Sequence, residues 1–430
     1  MFWLLVFYIF LSLQIVNKDL MPTFPLPGFG DLDVMDFLFL GLMGFSLIFY
    51  KKKKKIPSLI KILSWTFLAW LFLSVVQGYF LHGNLLNNGM RELTVLLNYF
   101  LFIPVFYFVD SEKQQKLFLE IILGIGCALG VLAISVFLIG DIITIGGYPV
   151  ASMHLVSWRG FPRLLKLLGF GFIFFAFHYA FFFIIQKRSI LNVKILIGLF
   201  ISMLAITITF GRTNTVALFF SLGIGTYLLL KDQKLKQKIL ITESLLGLVM
   251  GIVLFVVFIS RFFGGEDFLS ALVDRGDLLF KEMEYESGNW GSRLFEQKII
   301  LRDIKENPFL GKGLGYIFLV GFFTQFYSHN GFLELAGKLG VPGLIIFLLF
   351  FAAFFLFGLG FLWDKEKQLP LNEKIWIVTC LSYLIFTSVK SFAANMFCRQ
   401  SDIAVISIVF GMILMGRKKA QSIANRREDP

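Results

Sequence analysis

The chain has 430 residues, of which 57% are hydrophobic and only 16% charged, with a mean hydropathy of +0.79. A soluble domain carries roughly 25% charged residues, so an ordinary water-soluble globule is excluded, and the apolar positions suffice for about twelve spans of ~20 residues. The formal net charge of +12 is spread over short basic clusters between apolar stretches, which points to membrane topology and away from a nucleic-acid partner.

In chain order, apolar stretches bounded by charge, Gly or Pro fall near 2–16, 34–50, 60–81, 93–109, 117–140, 167–186, 190–210, 213–230, 239–260, 340–363, 374–396 and 402–416. They predict an all-α polytopic membrane protein with about twelve transmembrane helices. Basic residues at Lys51 to Lys55, Lys113 and Lys116, Lys187 and Arg188, Lys231 to Lys238, Lys365 and Lys367, and Arg417 to Lys419 fall at alternate loops. The positive-inside rule then puts both termini in the cytoplasm.

Two of the opposite loops are long: 141–166 and the stretch from Arg261 to about Ser328. Between Arg261 and Lys312 the second holds eight Lys/Arg against ten Asp/Glu, so it can stay outside without violating the charge rule. Long outer loops are commonly functional. The predicted organisation is therefore transmembrane helices over 1–260, an extracytoplasmic loop over 261–330, further transmembrane helices over 331–416 and a cytoplasmic tail over 417–430. Within the loop, Ser292 reads as an N-cap and Asn307-Pro308 as a stop, which predicts a short helix over 293–306. Phe295, Ile299, Ile300 and Ile304 would form its buried stripe.

Few residues offer chemistry. Cys127, Cys380 and Cys398 lack metal-ligand or redox spacing, and no Asp-rich or His-rich cluster faces outside, so no metal or other cofactor is expected. Of the histidines, His329 has the informative setting: Ser328-His329-Asn330-Gly331-Phe332-Leu333-Glu334-Leu335 leads into the next span, placing an imidazole at the outer mouth of a helix. An imidazole can take a proton from a substrate hydroxyl near neutral pH, although a helix-capping histidine fits the spacing equally well. Arg212 follows Gly211 at the outer end of a span, where topology disfavours a cation; it reads either as an anion-binding guanidinium or as a headgroup anchor. Arg293, in the predicted first turn of the loop helix, stands against the macrodipole. It reads either as a site residue facing a phosphate or as a surface partner of Glu296, and Arg275 is its substitute. Trp158-Arg159-Gly160-Phe161-Pro162-Arg163 offers a second basic edge, with interfacial anchoring as its other reading. Gly311-Lys312-Gly313-Leu314-Gly315 lacks the spacing of a phosphate-binding loop and reads as a turn back to the membrane.

Taken together, Gly211-Arg212-Thr213, Ser292-Arg293-Leu294, Glu306-Asn307-Pro308-Phe309-Leu310-Gly311-Lys312-Gly313-Leu314-Gly315, Ser328 to Leu335 and Gly340-Val341-Pro342-Gly343 resemble the bacterial O-antigen ligase and Wzy-type polysaccharide polymerase superfamily. The resemblance covers about residues 205–350. It implies a membrane glycosyltransferase of the GT-C type in the bacterial cytoplasmic membrane, moving a glycan from an undecaprenyl diphosphate carrier on the outer face to a hydroxyl of a glycan or lipid acceptor. It implies His329 as the base, Arg212 and Arg293 on the diphosphate, and a chain-length regulator as a further partner. Arg159-Gly160 with Pro162 matches an outer-loop pattern of the family only loosely, because Arg163 stands where that pattern has Asn. Polymerase is favoured slightly over ligase. A flippase or transporter of a lipid-linked glycan is the alternative, and its intramembrane ionisable residues would be Glu120, His178 and Lys390.

Overall fold

The computed structural model describes residues 1–13, 23–26, 30–49, 55–139, 144–145, 148–149, 155–158, 161–164, 170–187, 193–208, 212–231, 288–320, 323–325, 328–363, 371–394 and 396–428. The expected span at 239–260 lies outside them.

Described residues are predominantly helical, and the helices follow the apolar stretches. They are α1 (Phe2–Ser12), α2 (Val34–Phe49), α3 (Ser58–His82), α4 (Leu86–Leu97), α5 (Phe102–Phe108), α6 (Glu112–Ile139), α7 (Phe170–Lys187), α8 (Val193–Thr207), α9 (Arg212–Leu230), α10 (Gly288–Glu306), α11 (Gly331–Trp363), α12 (Leu371–Ser391) and α13 (Gln400–Glu428). Five described segments are long and apolar enough to cross a membrane: Ser58–His82, Leu86–Phe108, Glu112–Phe137, Thr213–Leu230 and Gly331–Trp363. Shorter apolar helices accompany them, and the chain is a membrane protein.

The helical class holds, and the described strands are confined to short connections. Four two-stranded antiparallel hairpins occupy connecting segments: β1 (Thr23–Leu26) with β2 (Gly30–Asp33), β3 (Thr144–Ile145) with β4 (Tyr148–Pro149), β5 (Leu155–Trp158) with β6 (Phe161–Leu164), and β7 (Phe318–Val320) with β8 (Phe323–Gln325). A hairpin pairs its backbone groups locally, so short loops between helices can adopt one without a sheet to join.

Local chemistry explains several boundaries. The span predicted at 93–109 runs as α4, a 3₁₀ turn over Asn98–Leu101, and α5. Pro104 accounts for the break: it has no N–H to donate to the carbonyl four residues back, and its ring crowds that carbonyl. Helix α6 starts on a reciprocal cap. Ser111 Oγ accepts the Gln114 N–H at 3.2 Å, and Gln114 Oε1 accepts the Ser111 N–H at 3.1 Å.

The chain forms two compact units, one of Met1–Ile121, Arg293–Glu373 and Leu384–Pro430, the other of Ile122–Ser292 and Lys374–Tyr383. An aromatic core holds the first. Phe67 of α3 packs against Tyr99 and against Phe347 and Phe350 of α11, and Phe354 of α11 stacks on Phe410 of α13 with ring centroids 4.0 Å apart. Such pairs contribute about 0.5–1.5 kcal/mol each beyond burial. Ser407 of α13 ties this core to the 3₁₀ turn, donating to the Tyr99 carbonyl (2.6 Å) and accepting the Phe102 N–H (2.7 Å). The outward face of α3 exposes Leu59, Ile62, Trp65, Phe72 and Phe80, apolar side chains suited to lipid. In the second unit α7 packs on α8 and α9.

Candidate active site

The segment Ser328-His329-Asn330-Gly331 is a helix start. Asn330 Oδ1 accepts the N–H groups of Phe332 and Leu333, each at 3.1 Å, and so caps α11. Ser328 Oγ accepts the Asn330 N–H at 2.9 Å. His329 therefore sits immediately before the cap, with its side chain 50% exposed.

What holds His329 comes from α10. Glu296 Oε1 accepts the His329 backbone N–H at 2.6 Å, and Glu296 Oε2 lies 2.6 Å from His329 Nδ1. Glu296 is only 3% exposed. Burial works to raise its pKa, but hydrogen bonds from the His329 ring and backbone and from the Ser328 hydroxyl outweigh it and hold the carboxyl below the ordinary 4.5. The other ring nitrogen, Nε2, forms no hydrogen bond with any described residue. An imidazole edge held from behind and open in front can receive a proton from an incoming hydroxyl.

Beneath this lies a buried ion cluster. Lys338 of α11 donates from Nζ to Glu92 Oε1 of α4 at 2.6 Å and to Glu334 Oε1 at 2.9 Å. Glu334 Oε2 then accepts the Ser328 N–H at 2.8 Å. Glu92 Oε2 accepts the Gly315 N–H, also at 2.8 Å. Burying three charges is tolerable only when each is paired and hydrogen-bonded, as these are. Two carboxylates on different helices thus hold consecutive backbone N–H groups, at Ser328 and His329.

The glycine-rich segment is a brace. Gly311 N–H bonds to Asn307 O, Lys312 N–H to Gly337 O (2.8 Å), Gly313 N–H to Lys338 O (3.0 Å), Leu314 N–H to Ser74 O (3.2 Å) and Gly315 N–H to Glu92. No N–H of this run is left to cradle a phosphate, which agrees with its reading as a turn. Gly313 has φ +80°, and a Cβ there would stand 2.8 Å from the Ser74 carbonyl and closer still to the backbone of Gly78. Gly340, at φ 73° and ψ 171°, kinks α11, and the Val341 N–H is taken by the Pro308 carbonyl at 2.8 Å.

The loop helix differs from expectation in two ways. It begins at Gly288, so Ser292 is not its cap and Arg293 stands in its second turn, inside the zone of strong macrodipole influence no longer. Its end at Glu306, before Asn307-Pro308, is as predicted. The buried face is also not the apolar stripe: Ile300 is buried, but Phe295 is 54% exposed, and the residues sharing the buried face are Glu296 and Asp303. Asp303 Oδ2 accepts the Tyr316 hydroxyl at 3.1 Å. Burial, together with that carboxylate, pushes the Tyr316 pKa up to about 12.

Of the arginines, Arg293 is half-buried and stands three residues before Glu296, on the same side of α10. Arg212 opens α9 in the second unit, and Arg163 lies in β6, paired in register with Val156. Arg159 and Arg275 lie outside the described residues. Glu296 was not among the expected site residues; the available signal was an acid at the i−4 position from Ile300, on the very face that had to be buried. Among the described residues no group of three or more His, Cys, Asp or Glu could hold a metal ion.

The ionisable residues of the transporter alternative are placed as follows. Glu120 is exposed on α6. His178 is buried and bonded through both ring nitrogens. Lys390 is buried with its Nζ 5.6 Å from the centre of the Phe386 ring.

Residues 197–348 match the family described as O-antigen ligase, Wzy_C. No curated protein sequence matches the chain. The matched stretch, which contains α10, the glycine brace and His329, is similar to that family.

Proposed function

We propose that the protein is a membrane glycosyltransferase that moves a glycan from an undecaprenyl diphosphate carrier to an acceptor hydroxyl on the outer face of the bacterial cytoplasmic membrane. Both termini are cytoplasmic in this reading, and 261–330 is the outer catalytic loop. The observation that carries it is the coincidence of the family match with the presentation of His329, whose Nε2 has no hydrogen bond among the described residues while Glu296 grips the other side.

In this reading the acceptor oxygen attacks the anomeric carbon while His329 Nε2 takes its proton, and the bond from that carbon to the carrier diphosphate breaks. The electron pair leaves with the diphosphate. Its growing charge is met by the guanidinium groups of Arg212 and Arg293, which stay protonated and can each make paired hydrogen bonds to phosphate oxygens. Arg275, Arg159 and Arg163 are further contacts to the donor. A single displacement inverts the sugar carbon, and a product with the donor's own anomeric configuration would exclude it.

The leading version is a repeat-unit polymerase. Purified protein given one undecaprenyl-diphosphate-linked repeat unit then makes a ladder of products. A product formed only after a separate lipid acceptor is added would make it a ligase, and glycan movement across a vesicle with no covalent product would overturn the enzymatic reading.

A further inference from the structure

We propose that Glu296 is a positioning residue for His329, selecting the ring tautomer whose Nε2 lone pair faces outward. The inference rests on the reading of His329 as the base and adds the group that makes it competent.

A neutral imidazole carries one hydrogen, on either nitrogen. With Nδ1 2.6 Å from a carboxylate oxygen, the hydrogen must lie on Nδ1; otherwise two lone pairs would face each other at hydrogen-bonding distance. Nε2 is then bare, as a base requires. In the other tautomer Nε2 would carry a hydrogen and could accept none from the acceptor hydroxyl.

The ring is also fixed in orientation. The second oxygen of Glu296 holds the backbone N–H of the same residue, so the histidine is gripped at two points by one carboxylate. The preceding N–H is gripped by Glu334, itself anchored through Lys338 to Glu92. Glu296 is buried while His329 is half exposed, so the carboxylate lies on the inner side of the ring, and among the described residues none bonds to its Nε2. When Nε2 takes the proton, the new imidazolium faces Glu296, which stays ionised and offsets the positive charge at that moment. The proton moves from the acceptor oxygen to Nε2 and no further.

Two readouts on the full-length protein in nanodiscs test this. The first is the ¹⁵N spectrum of histidine-labelled protein, with His329 assigned by its loss in His329→Gln. Wild type is expected to show the Nδ1–H form and Glu296→Ala a mixture of tautomers. An Nε2–H form in wild type, or an unchanged tautomer in Glu296→Ala, would overturn the proposal. The second is turnover of an undecaprenyl-diphosphate-linked oligosaccharide. Glu296→Gln should lower kcat by roughly tenfold or more with little change in KM for the donor, and Glu296→Asp should recover part of the loss. Unchanged kcat in Glu296→Gln beside a dead His329→Ala would remove Glu296 and leave His329 as base. An active His329→Ala would remove the base itself, while the tautomer spectrum would still report whether Glu296 sets the ring. Should Glu296→Gln and Glu296→Ala fail to fold, the wild-type tautomer and Glu296→Asp decide.

Discussion

Two histidines in this chain show how the same side chain is spent in different ways. His178, on α7, is fully buried; its Nδ1 lies 2.7 Å from the Phe174 carbonyl and its Nε2 2.8 Å from Ser221 Oγ of α9. Ser382 adds a hydrogen bond to the Ser221 carbonyl at 2.6 Å. Every polar atom of that ring is consumed in joining helices. His329 bonds through Nδ1 to a buried carboxylate, while its Nε2 has no hydrogen bond among the described residues. A buried imidazole bonded on both sides is packing; one bonded on one side at a rim is available for chemistry. The difference weakens the transporter alternative, because the His178 ring has no nitrogen left to exchange with a passing substrate.

The largest expected effect separates the two directly. His329→Ala should reduce glycan transfer by about 10²–10⁴-fold, the usual contribution of a positioned general base, while leaving the protein folded in detergent. His178→Leu should do the reverse and retain turnover. Near wild-type turnover in His329→Ala, measured with a lipid-linked repeat unit, would erase the distinction.

Next in size is Lys338→Met. It leaves Glu92 and Glu334 facing each other in a buried site with no cation, and breaking such a cluster costs about 3–5 kcal/mol. Chemical denaturation in micelles should show it as the least stable of these variants. Because Glu334 holds the Ser328 N–H, turnover should fall as well, which sharpens the contrast by showing that His329 depends on polar groups lying deeper than itself. His178→Leu is milder. With the ring gone, the Ser221 hydroxyl can donate to the Leu218 carbonyl, 2.9 Å away, so only the ring's own hydrogen bonds are lost, and a cost of about 1–3 kcal/mol is expected from the same measurement.

Much of this arrangement is legible in the residues. Apolar length located the helices, because a bilayer imposes both a minimum span and internal satisfaction of the backbone. The break at Asn98–Leu101 is foreshadowed by Pro104, and the end of α10 by Asn307-Pro308. His329 stood out by its neighbours, and Asn330 and Ser328 prove to be the caps that shape its turn. What stayed hidden is the face that α10 buries. Counting apolar side chains favours Phe295 and Ile304, yet the helix turns Glu296 and Asp303 inward, because His329 and Tyr316 there supply the partners that make buried acids affordable. Those partners lie 33 and 13 residues away in sequence, and no local periodicity announces a pairing of that range. Glu92 and Lys338 are more distant still, 246 residues apart.

The smallest effect is expected at Asn330. Its side chain caps α11 by accepting two N–H groups, and removal of such a cap by Asn330→Ala costs about 1 kcal/mol. Were Asn330 only a cap, Asn330→Asp, which presents the same acceptor oxygen at a helix start that favours negative charge, would restore both stability and turnover. A variant restored in unfolding free energy but still slow in transfer would show instead that the amide also meets the substrate beside His329. His178 offers no counterpart to this test, since it lies in mid-helix with no cap to loosen, so the response of turnover to so small a structural change is itself a measure of how finely the His329 rim is set.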